Sequence, residues 1–104
     1  MFCILQQKYN SNLSVMRAIH LVIHGKVQGV FFRKHALEKA NDLGLKGIVR
    51  NLPNGNVEIF AEGYDFRLKE LIEWCHIGSP NSKVERVIVH DIAFFGYEQF
   101  LIAI

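Results

Sequence analysis

The residues of this sequence best suited to chemistry lie in one run, Gly25-Lys26-Val27-Gln28-Gly29-Val30-Phe31-Phe32-Arg33-Lys34. Two glycines in a short connection let successive backbone N–H groups converge on one point, and a helix that starts directly afterwards adds the positive end of its dipole. Such a nest binds a tetrahedral oxyanion. Arg33 falls at the start of the predicted helix, where its planar guanidinium can form paired, charge-assisted bonds to a phosphate already held by amides. The candidate anion site is therefore Gln28, Gly29, Val30, Phe31 and Phe32, acting through their amides, together with Arg33. No Gly-Lys-Ser/Thr follows, so neither a nucleotide nor its Mg²⁺ is called for.

The elements that must position this run can be read from apolar periodicity. Arg17 to His24 alternates as a half-buried strand, with Leu21 and Ile23 on one face and His20, Val22 and His24 on the other. From Phe32 the apolar residues change to helical spacing at Phe32, Ala36, Leu37, Ala40 and Leu43, and Gly44 supplies the stop. Gly47 to Leu52 and Asn56 to Glu62 read as two strands joined by Pro53-Asn54-Gly55, a turn whose Asn-Gly pair tolerates positive φ. Asp65 is expected to cap a second helix with Leu68, Leu71, Ile72 and Cys75 on one face, ending near Gly78-Ser79-Pro80. Val84 to Phe95 and Tyr97 to Ile104 complete the pattern as a long strand and a closing one, broken at Gly96. The order β-α-β-β-α-β plus a terminal strand predicts a ferredoxin-like α+β sandwich, with both helices on one face of a mostly antiparallel sheet. That topology hosts many functions and decides none.

Composition narrows the classes. The chain has 104 residues, half of them apolar, enough for one core and one domain. Twelve Lys and Arg against ten Asp and Glu leave a net charge of +2, too weak a field to imply nucleic acid or an acidic membrane as partner. No apolar run approaches the roughly 20 residues of a membrane-spanning helix. Cys3 and Cys75 form neither a CxxC pair nor a disulfide framework, which suits a reducing, cytoplasmic setting. Residues 1–15 show no sustained apolar period and read as a flexible N-terminal extension to a domain spanning 16–104. Phe2-Cys3-Ile4-Leu5 is too short for a secretory h-region and lacks a basic residue before it. Met16 directly precedes the first strand, so natural translation is expected to start there.

With these elements in place, Gly25-Lys26-Val27-Gln28-Gly29-Val30-Phe31-Phe32-Arg33 resembles the first signature of the acylphosphatases. Gly47-Ile48-Val49-Arg50-Asn51-Leu52-Pro53-Asn54-Gly55-Asn56-Val57 resembles their second. The likeness extends from Arg17 to the C-terminus. It implies hydrolysis of a carboxyl-phosphoryl anhydride, with Arg33 binding the substrate phosphate and Asn51 orienting the attacking water, and without cofactor, metal or phosphoenzyme. A small-molecule acyl phosphate is then the partner, and a monomer is expected. Neither motif contains a side-chain base, so a phosphate oxygen of the substrate is the expected proton acceptor. The sequence departs from the pattern at Ile48, where an aromatic residue is common, at Asn54 in place of Asp, and at the end, Phe100-Leu101-Ile102-Ala103-Ile104, which lacks a terminal tyrosine.

The same residues also have plainer readings. Alone, Arg33 would be a solvated helix charge and Asn51 a turn residue; the pairing of the two motifs outweighs both. His20, His24, His35, His76 and His90 lack neighbouring carboxylates or cysteines that would complete a metal site. Phe31 and Phe32 could stack on RNA bases, but Phe32 sits on the apolar helix stripe and core packing is expected for the pair. Cys75 is expected to be a buried small hydrophobe. A non-catalytic anion-binding domain and a single-strand RNA binder are the alternatives to the enzyme.

Overall fold

The computed structural model describes residues 15–104. Strand β1 (Met16–Lys26) leads to helix α1 (Phe32–Asp42), the hairpin β2 (Lys46–Asn51) and β3 (Val57–Tyr64), helix α2 (Asp65–Ile77), β4 (Lys83–Asp91) and β5 (Phe100–Ile102). The five strands form one sheet in the order β4-β1-β3-β2-β5. The first four pair antiparallel, and β5 joins the β2 edge in parallel. This is the expected ferredoxin-like arrangement. Because β1, β2 and β5 all finish at one end of the sheet, the β1–α1 connection, Asn51 and Ile102 share what we call the upper end.

One face of the sheet makes the core. Ile19, Leu21 and Ile23 alternate along β1 and lie opposite Ala61, Ile59 and Val57 of β3. Phe32, Ala36 and Ala40 of α1 and Leu68, Leu71 and Cys75 of α2 close over them, all buried. Each large side chain removed from water here contributes about 1.5–3 kcal/mol. That is why these two amphipathic helices, uncapped by any side chain, stay docked. Burial pushes the Cys75 thiol well above its ordinary pKa, in keeping with an inert core residue.

On the other face Arg50 Nε donates to Glu58 Oε1 at 2.6 Å, and His20 Nε2 lies 2.8 Å from Glu58 Oε2. Burial alone would push the Glu58 carboxyl up, but the hydrogen bonds from His20 and Arg50 outweigh it and hold the group below its ordinary value.

Four local expectations change. The long strand Val84 to Phe95 ends at Asp91. Its pairing with β1 stops at Ile19 and Asp91, Ile92 donates to the Ala18 carbonyl at 3.0 Å, and the chain then crosses from the β4 edge to the β2 edge. Over that crossing the amides of Phe95, Gly96 and Tyr97 donate to the buried Glu62 carboxylate instead. The closing strand accordingly starts at Phe100, not Tyr97, and has three residues.

Asp65 does not cap α2. Tyr64, in extended conformation, is the N-cap, and Asp65 is the first helical residue, its carboxylate bonded to Arg17 and, at 3.1 Å, to Lys69. Phe31 is not a core residue either; it is 72% exposed, whereas Phe32 is buried. The proposed extension over 1–15 lies outside the described residues except for Val15, whose carbonyl accepts the Asp65 amide at 2.8 Å.

Candidate active site

At the upper end, a cavity of about 340 Å³ opens between the β1–α1 connection and the end of β2. Gly29, Phe31, Phe32 and Arg33 line it from the loop side, and Asn51 lines it from β2. The two motifs, separated in sequence by a helix, therefore meet at one cavity. Gly29 at φ 72 and Phe31 at φ 60 both take left-handed conformations, which turn the connection sharply. Nothing crowds Gly29, so its requirement is backbone angle and not space. Gly25 has a different role from that expected. It belongs to β1, at a bulge where a side chain would run into the Lys83 carbonyl of β4.

The polar groups facing the cavity are unpaired. Among the described residues, no hydrogen bond is donated by the amides of Gln28 to Phe32. The N-cap position of α1 is Phe31, with no side-chain cap, and the first turn holds no acidic residue. It carries Arg33 and Lys34 instead, cations at the positive end of the helix dipole, where anions are favoured. Arg33 has no ion-pair partner among the described residues. Asn51 Oδ1 is buried and accepts no hydrogen bond from them, a condition that costs about 1–3 kcal/mol. No carboxylate lines the cavity. Donors without acceptors and cations without anions, with the Asn51 carboxamide at the same cavity, describe a place for an anion.

Of the residues expected to hold phosphate, Gln28 and Val30 are not among those that line the cavity. The Gln28 carboxamide donates to the carbonyls of Leu52 and Asn56, at 2.7 and 2.8 Å, and so ties the loop to the hairpin that carries Asn51. The Val30 carbonyl accepts from Ser79 Oγ at 2.7 Å, fixing the loop from the α2 side. Sequence reasoning missed Ser79, Lys34, Val27 and Ile102 as parts of this region. Lys34 could have been read from its place beside Arg33, but Ile102 reaches the cavity only because β5 pairs with β2. Among the described residues no group of three or more His, Cys, Asp or Glu stands where it could hold a metal ion; His20 instead faces Glu58.

The family profile described as acylphosphatase matches residues 19–102, which takes in both motifs and every element but the start of β1. The chain belongs to the acylphosphatase family. An acylphosphatase of Marinobacter nauticus is 51% identical over 73 residues, 70% of this chain and 79% of the relative. The solved acylphosphatase structure from Coxiella burnetii is 39% identical, with a TM-score of 0.82 over 85% of this chain and 93% of its own. That from Bacillus subtilis is 34% identical, with a TM-score of 0.83 over 86% of this chain and 100% of its own. As a member of the acylphosphatase family the chain is an enzyme, and the cavity is its candidate active site.

Proposed function

We propose that the chain hydrolyses small acyl phosphates to a carboxylate and inorganic phosphate in this cavity, with Arg33 and the amides of Gln28 to Phe32 holding the phosphoryl group. The observation that carries this reading is a convergence on one cavity: loop amides and an Arg33 guanidinium that have no partner among the described residues, beside the Asn51 carboxamide. Each has a use in phosphoryl transfer. The amides and Arg33 offset charge on the phosphoryl oxygens as the bond to the acyl oxygen loosens, and they need no reorganisation to do so. The Asn51 side-chain amide, at the same cavity, orients a water so that its oxygen lies in line with the leaving carboxylate.

The water oxygen bonds to phosphorus, and the P–O bond to the acyl group breaks with its electron pair leaving on the carboxylate. The water proton passes to a phosphoryl oxygen. A carboxylate is a good leaving group, so the step needs neither metal nor a phosphoenzyme. We further infer a monomer working in the cytoplasm. The buried, unpaired Cys75 and the weak net charge support this setting.

Phosphate release from benzoyl or acetyl phosphate by the purified chain, with EDTA present, tests the proposal. Turnover that survives EDTA and is lost in Arg33→Ala is expected; phosphate binding without turnover would make the cavity a regulatory anion site instead.

A further inference from the structure

The phosphate loop, Arg33 and Asn51 account for one half of an acyl phosphate, and the cavity holds more than they use. Its remaining wall is apolar apart from Lys34. Val27 and Phe32 form a buried floor, and Phe31 and Ile102 stand at the rim, 72% and 40% exposed.

Phe31 is anomalous on two independent counts. It is the one non-glycine residue at positive φ among the described residues, a conformation that disfavours bulky side chains. Its ring, moreover, gains little from folding because water still reaches most of it. Asparagine or glycine would hold the same turn with less strain. Strain at a position that contributes nothing to the core belongs to sites where the side chain meets a ligand.

Geometry determines which part of the ligand it meets. The backbone of Phe31 belongs to the loop proposed to hold phosphate, so its ring stands immediately beside the phosphoryl group. An acyl chain joined to that phosphate through one bridging oxygen must leave toward the cavity rim. There it encounters Phe31 on the α1 side and Ile102 on the β5 side.

We infer that Phe31 and Ile102 form an acyl-binding clamp that selects substrates with apolar acyl groups, aromatic or branched, over short or polar ones. This rests on the phosphate reading given above and names the substrate class of that same cavity. Apolar acyl groups would cover the ring that folding leaves bare, and a planar aromatic acyl group could stack on it offset or edge-on. Among the described residues, Lys34 is the only other side chain at this cavity able to recognise an acyl group by charge. It would favour an acyl group bearing a second carboxylate, which is the competing outcome.

The test is the ratio of kcat/KM for benzoyl phosphate to that for acetyl phosphate, compared between the natural chain and Phe31→Asn. Asparagine tolerates the left-handed backbone, and any general effect on the phosphate loop cancels in the ratio. A fall of about tenfold is expected, as for the loss of one apolar contact surface in a specificity pocket. Ile102→Ser should lower the same ratio about threefold. A ratio that neither substitution changes overturns the clamp, as does a natural chain that hydrolyses succinyl phosphate better than benzoyl phosphate. Failure of the underlying reading looks different: Arg33→Ala would then keep its turnover on both substrates, whatever happens to the ratio.

Discussion

Two helix N-termini stand at opposite ends of this sheet, and the sequence treats them in opposite ways. At the lower end α2 begins with Asp65, an acid at the positive end of the dipole, paired with Arg17 and Lys69. Arg17 also reaches Asp91, and nearby Glu62 takes the amides of Phe95, Gly96 and Tyr97. At the upper end α1 begins with Arg33 and Lys34, no acid, and a strained Phe31 at the N-cap. Both ends are rich in polar groups. The lower end pairs Asp65, Arg17 and Glu62, while the upper end leaves Arg33, the loop amides and Asn51 Oδ1 without a partner among the described residues. Charge alone therefore does not mark the site; unpaired charge beside an uncapped helix does.

If this contrast is sound, upper-end substitutions should cost turnover and lower-end ones stability. The largest effect is expected for Arg33→Ala, which should lower kcat/KM for acyl phosphates by about a thousandfold. Its thermal unfolding should stay close to that of the natural chain; an equal loss of stability would break the comparison. Asn51→Ala should reduce kcat by about a hundredfold. Inhibition by inorganic phosphate should hardly move, and denaturant unfolding should show no loss, because the acceptor removed has no partner to lose.

Glu62→Ala tests the opposite arm. Removing the carboxylate that receives three amides should destabilise the fold by about 2 kcal/mol in urea unfolding, with kcat within about twofold of the natural value. Gln28→Leu sharpens the boundary between the two arms, since its carboxamide joins loop to hairpin without facing the cavity. Steady-state kinetics should show kcat falling about tenfold, with a smaller change in phosphate inhibition.

The mildest effect concerns acid. The Asp65 carboxyl is held low by hydrogen bonds from Arg17 and Lys69, and Glu58 is held low by His20 and Arg50 against its burial. A carboxyl with a lowered folded pKa stabilises fully above its unfolded value and loses that contribution as pH falls through the folded one. Unfolding free energy should therefore decline below about pH 4.5, the ordinary glutamate value, and Glu58→Gln should make the decline shallower. Urea melts between pH 3 and 7 would show it. An unchanged slope would mean the Glu58 pairs contribute nothing.

Much of this was legible beforehand because local rules wrote it. Alternation at Ile19, Leu21 and Ile23 and four-residue spacing at Phe32, Ala36 and Ala40 gave strand and helix faces, and the loop between them could be read from Gly29 and Arg33. The Tyr97 region could not. Whether residues 92–99 form a strand depends on where the pairing with β1 stops and the chain crosses to the β2 edge, and β1 lies more than sixty positions away in the chain. Phe31 was misjudged for a related reason. Its type says core, yet it sits in a left-handed turn with its ring exposed.

The sequence by itself determined the element order, the two motifs and the residue types able to grip an anion, because periodicity, turn chemistry and charge are properties of short segments. Tertiary structure alone decided that Asn51 reaches the same cavity as Arg33, that Gln28 ties the loop to the hairpin that carries Asn51 and that Ile102 lines that cavity. Those relations depend on β2 lying between β3 and a parallel β5, and on long-range pairing and packing that no local window contains.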